Sequence, residues 1–104
     1  MEKVIRNGKV AVIYSGGFGA GWYSWNTDNK ELLFHPKLVE MIENKMQSEI
    51  DTEWVENELG IPNVFCGGAE NLYIVWLEEG TAFIIDEYDG SESIQTLDDL
   101  TLIA

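Results

Sequence analysis

The chain reads as an α+β protein: a mostly antiparallel sheet, made of an N-terminal hairpin and a C-terminal β-meander, with two helices packed on one face. Three observations predict it. Strand-like segments joined by Asn-Gly and Asp-Gly lie at the two ends of the sequence. Two segments with helical spacing lie between them, and the regular strand–helix alternation of a doubly wound parallel sheet is missing.

Each element follows from its residues. Val4 and Ile5 precede Arg6-Asn7-Gly8-Lys9, and Val10–Tyr14 follow. Asn-Gly between apolar strands favours a tight turn with two positive φ angles. The second strand runs into a stretch with four glycines in six residues, Gly16, Gly17, Gly19 and Gly21. Such a stretch suits a loop whose backbone comes close to something. In the middle, Pro36 fits a first helical position. Leu38, Val39, Ile42 and Met46 then fall on one helical face. A second helix is expected from Asp51 or Thr52, with Trp54, Val55 and Leu59 inward and a stop at Gly60 and Pro62.

The last third alternates as strands. Asn71–Leu77 is apolar on both faces, which suits a central strand. Glu78-Glu79-Gly80 turns the chain into Thr81–Tyr88. Asp89-Gly90 makes a second tight turn into Ser91–Leu97, and Thr101–Ala104 is expected as a short edge strand. No repeat or linker divides residues 1–104, so a single domain is expected.

Charge is distributed unevenly. The chain has 104 residues, six Lys and Arg, nineteen Asp and Glu and a net charge of −13. Lys45 is the last cation, and fourteen of the acids lie beyond it. A surface this negative disfavours direct nucleic-acid binding and anionic membranes, and favours basic partners. Twelve aromatic residues and a hydrophobic fraction of 45% argue for a real core rather than disorder. Cys66 is the only cysteine, so no internal disulfide forms. The N-terminus turns polar too soon for a signal peptide, and apolar runs are of strand length. A cytoplasmic location is therefore expected.

Most chemistries lack their residues. Trp22 stands where a dinucleotide fingerprint needs its third glycine, and no helix opens behind it. The phosphate-loop pattern is missing too. His35 is the only histidine, which excludes ordinary structural zinc sites, and the acidic positions do not follow a calcium loop. A Cys66–His35 pair or a carboxylate pair would serve a small hydrolase, although no spacing singles one out. No cofactor, metal or catalytic residue is assigned.

Two surfaces stand out. Gly17, Phe18, Gly19, Gly21, Trp22, Tyr23 and Trp25 form a Gly-aromatic loop that could contact a protein partner or stack on a planar small molecule. The alternative is that the rings fill the core. On this reading Trp22→Ala removes binding and leaves the fold cooperative. Asp86, Glu87, Asp89 and Glu92 bracket the second turn and offer an acidic face to a basic protein, or simply carry solvent.

The segments Gly19-Ala20-Gly21-Trp22-Tyr23-Ser24-Trp25-Asn26, Gly67–Leu72 and Glu87-Tyr88-Asp89-Gly90-Ser91-Glu92 resemble stretches of a group of small phage- and prophage-encoded proteins. The resemblance implies a mobile-element origin and a binding or inhibitory accessory protein; it carries over no catalytic residue. The first functional expectation is thus a non-catalytic binding protein using the Gly-aromatic loop, with homo-oligomerisation open. The second is an acidic, DNA-mimic-like inhibitor of a basic nucleic-acid-handling protein of host defence, and the third is a small hydrolase.

Overall fold

A computed structural model describes residues 2–17 and 21–96. The fold is α+β with antiparallel sheets, as the element order predicts. The expected edge strand at Thr101–Ala104 and the end of the preceding strand at Leu97 lie outside the described residues.

Strands β1 (Ile5–Arg6) and β2 (Lys9–Ser15) form the N-terminal hairpin. Its turn has Asn7 at φ 55° and Gly8 at φ 77°, the two positive angles expected of Asn-Gly. Strand β3 (Leu72–Glu78) pairs along the whole of β2, from Lys9 opposite Glu78 to Ser15 opposite Leu72. Among the described residues, strands β4 (Phe83–Tyr88) and β5 (Ser91–Thr96) pair only with each other. The expected meander is therefore divided between β3 and β4.

The reason for the division lies in the faces. β2 and β3 are apolar on both sides and can form a sheet buried on two faces. In β4 and β5 the apolar residues that pack inward are Phe83, Ile85 and Ile94, so this hairpin covers an existing face instead of extending the sheet. Ala11 and Ile13 pack with Leu38, Val39, Ile42 and Val55 on the helical side. Val10 and Val12 pack on the other side with Leu33, Phe34, Phe83, Ile85 and Ile94.

Helix α1 (Pro36–Glu43) begins at Pro36, with His35 as its cap. Helix α2 (Thr52–Leu59) is capped by Asp51, which accepts from the Trp54 N–H at 2.7 Å, and it ends at Gly60 in the left-handed region. Met46 is partly exposed, because α1 stops at Glu43 and Lys45 takes a positive φ. Arg6 joins the first turn to the end of α1. It donates twice to Glu43, at 2.6 and 2.8 Å, and its guanidinium lies 5.2 Å from the Trp76 ring centroid. No described helix is long and apolar enough to cross a membrane.

The His35 cap is a pH-dependent contact. Its Nδ1 accepts from the Lys37 N–H at 3.1 Å, which requires an unprotonated ring nitrogen. Burial holds the imidazole below its ordinary value of 6.5, with Glu31 opposing the shift. The unfolded chain therefore takes up the proton first as the pH falls. The contribution is complete above the unfolded value and is lost on acidification through the folded one. Relative to His35→Asn, which caps without titrating, the native chain is expected to lose up to about 1 kcal/mol between about pH 7 and pH 5. Urea unfolding of both chains at the two pH values measures this, and parallel profiles would remove the cap argument.

Candidate functional site

β2 ends at Ser15, and at that end of the sheet Gly21 lies beside Gly68. Two backbones meet there. A Cβ on Gly68 would lie 2.5 Å from the Gly21 carbonyl oxygen and 2.6 Å from Ser15 Oγ, and Ser15 Oγ donates to the Gly68 carbonyl at 2.8 Å. A Cβ on Gly21 would lie 2.1 Å from the Trp25 ring. A side chain at Gly21 would have to displace the Trp25 ring and Ser24 Oγ. Gly17 lies against the Asn71 side chain. Phe18 and Gly19 lie outside the described residues.

The aromatic residues of the loop divide between core and surface. Trp22 is fully buried, and its Nε1–H donates to the Leu32 carbonyl at 2.9 Å. Its ring fills the core and cannot touch a partner, which corrects the assignment of Trp22 to a contact surface. The physical reason is that the 3-10 turn at Tyr23–Trp25 begins immediately after it and carries Trp22 inward while Trp25 points outward. Tyr23 is half-buried and packs on both hydrophobic clusters. Trp25 is 58% exposed and lies against Phe65, itself 48% exposed, with ring centroids 5.6 Å apart.

Asn26 fixes that pair. Its Nδ2 donates to the carbonyls of Trp22 and Phe65 at 2.8 and 2.9 Å, and its Oδ1 accepts from the Phe65 N–H at 2.9 Å. One amide side chain thereby joins both backbones. Phe65 and Asn26 were not singled out by sequence. Nothing in the local pattern pairs residues 39 positions apart.

Glu92 is the second correction. It is 2% exposed, so it is not part of an acidic surface. Its Oε1 accepts from the Ser15 N–H at 2.8 Å. Its Oε2 accepts from the N–H groups of Trp22 and Ser24, each at 2.8 Å, and from Ser24 Oγ at 2.5 Å. No cation pairs with it among the described residues. Backbone donors at the end of the glycine loop take the place of water around a buried charge. The signal was present in the strand period: Glu92 shares a face with Ile94, and that face is the inward one.

The other three acids of the turn remain exposed. Asp86 accepts from the Glu87 N–H, and Glu87 accepts from the Gly90 N–H at 2.7 Å. Asp89, at φ 55°, and Gly90, at φ 85°, form the tight turn expected of Asp-Gly. Ser91 Oγ donates to the Gly16 carbonyl at 3.1 Å, so the acidic tip and the Gly-aromatic loop, expected as separate faces, lie side by side.

Among the described residues, no hydrogen bond joins His35 to Cys66. His35 Nδ1 is occupied by the Lys37 N–H, and Cys66 donates weakly to the Val64 carbonyl at 3.5 Å. Burial pushes the Cys66 thiol up, away from the reactive thiolate. The short Ser24–Glu92 contact is also a poor base–nucleophile pair, because Oε2 already accepts from two backbone N–H groups, those of Trp22 and Ser24. Among the described residues, no group of three or more His, Cys, Asp or Glu side chains could hold a metal ion. Comparison with known protein families, curated proteins and solved structures gives no match.

Proposed function

We propose that this chain is a small non-catalytic accessory protein that binds a basic protein partner through the outer end of its Gly-aromatic loop, with Trp25 and Phe65 as contact residues. The observation that carries the reading is the exposed Trp25–Phe65 pair held by Asn26. Large rings left half in water offer apolar area to a partner, and fixing them beforehand lowers the entropy lost on binding. The net charge of −13 favours a partner of opposite sign.

Trp25→Ala is expected to abolish capture of that partner while costing about 1 kcal/mol or less in stability, since the ring is mostly outside the core. The test is affinity capture with the native chain, Trp25→Ala, and a variant with Asp86, Glu87 and Asp89 changed to Lys, each shown to be folded by circular dichroism. A basic protein retained by the native chain and lost with Trp25→Ala supports the reading.

A second reading, the acidic mimic, draws on Asp86, Glu87 and Asp89, which stay exposed after Glu92 is withdrawn. It expects the triple reversal to lose the partner, Trp25→Ala to keep it, and binding to weaken steeply with salt. Equal retention by all three proteins would end both readings.

A further inference from the structure

We infer that the chain has a second binding site, separate from the Trp25–Phe65 pair, for an amphipathic monocarboxylic acid. The site is the groove between the turns at Tyr23–Trp25 and Lys30–Leu33 and the β4 strand. Its volume is about 510 Å³, and Tyr23, Ser24, Lys30, Phe34, Phe83 and Ile84 line it. That volume lies within the roughly 300–1,000 Å³ typical of small-molecule sites. Its floor is built: Phe34 and Phe83 meet edge to face with centroids 6.2 Å apart. Its rim is unfinished, because Ile84 is 51% exposed and would be covered by an occupant.

The cations decide the class of ligand. Of the six in the chain, Arg6 and Lys37 are engaged by Glu43 and Glu58. Lys30 lines the groove, whereas Lys3, whose Nζ lies 4.5 Å from the Phe34 ring centroid, lines the neighbouring cavity. Neither lysine makes an ion pair among the described residues. An apolar groove with one ammonium group on its lining suits a molecule with an apolar body and one anionic end. A polyphosphate would meet the field of the whole chain with several charges and little apolar area to offset it. A monocarboxylate meets that field once, and its hydrocarbon body gains by leaving water. Thr27 is also on the lining.

The test uses decanoate, below the concentration at which it aggregates, and decanol as its uncharged counterpart, followed by amide chemical shifts. Decanoate is expected to move the Ser24, Thr27, Lys30, Ile84 and Ile85 signals and to bind roughly tenfold more tightly than decanol. Lys30→Glu, an exposed substitution, is expected to weaken decanoate by roughly tenfold and to leave decanol unchanged. Trp25→Ala is expected to leave decanoate affinity unchanged, which separates this site from the partner surface. Shifts centred away from the groove, equal affinity for decanol, or an unchanged decanoate affinity in Lys30→Glu would overturn the inference.

Discussion

Glu92→Ala is expected to cost roughly 3–5 kcal/mol of unfolding free energy, a large part of the roughly 5–15 kcal/mol that holds a domain of this size. The substitution removes the acceptor for three backbone N–H groups, those of Ser15, Trp22 and Ser24, and for the Ser24 hydroxyl. A buried donor left without a partner costs about 1–3 kcal/mol, and water entering the vacated space recovers part of that. Losing one negative charge from a chain at −13 relieves some repulsion, but that gain is spread over a screened surface and is small beside the lost hydrogen bonds. Glu92→Gln separates the contributions. Its carbonyl oxygen can keep the three donors at the Oε2 position, while its amide then faces the Ser15 N–H, donor against donor. It should fall between the native chain and Glu92→Ala. Urea unfolding monitored by circular dichroism gives the order. A Glu92→Ala chain within about 1 kcal/mol of native would mean that water replaces the carboxylate without loss.

The consequence reaches beyond stability. Among the described residues, the β4–β5 hairpin shares no strand pairing with the main sheet. It is held by apolar packing through Phe83, Ile85 and Ile94 and by the polar contacts of Glu92 and Ser91. Cutting the Glu92 contacts should loosen the hairpin before the rest. Amide exchange in Glu92→Ala should therefore rise more in residues 83–96 than in β2 and β3.

Local chemistry was legible in the sequence wherever one residue decides one backbone state. Asn7-Gly8 and Asp89-Gly90 specified their turns, Pro36 a helix start and Gly60 a helix end, because each acts through its own dihedral angles. Partner choice between strands was less legible. The apolar run of β3 suits a central position equally well beside β2 or β4, and only the second buried face of β2 decides between them. The candidate site was divided in the same way. The Gly-aromatic loop stood out by composition, yet composition does not say which ring turns inward. Trp25 was included for its neighbours, whereas its contact with Phe65 depends on the Asn26 bridge, which no spacing rule encodes. Glu92 was grouped with its acidic neighbours by charge, although its alternation with Ile94 placed it on the inward face. Period outweighs charge where enough backbone donors converge to satisfy the carboxylate.

Trp22→Ala is the sharper test of that division, because the sequence and the structure expect opposite results. A contact residue would lose binding and keep the fold. A core residue should lose the fold. Trp22 is fully buried in the cluster that joins β2 to both helices. Truncating such a ring costs about 3–5 kcal/mol from lost burial and the cavity left behind. The Leu32 carbonyl also loses its donor, which adds to the cost. Trp22→Phe should lose about 1–3 kcal/mol, since most of the ring volume remains and only the N–H is forfeited. Trp25→Ala, three residues on from Trp22 but on the outside, should unfold close to the native midpoint. The contrast between Trp22→Ala and Trp25→Ala in parallel urea titrations decides whether the loop carries one anchor and one contact ring. If Trp22→Ala unfolds with native stability, the ring is dispensable to the core, and the packing that orients Trp25 outward is not what holds it there.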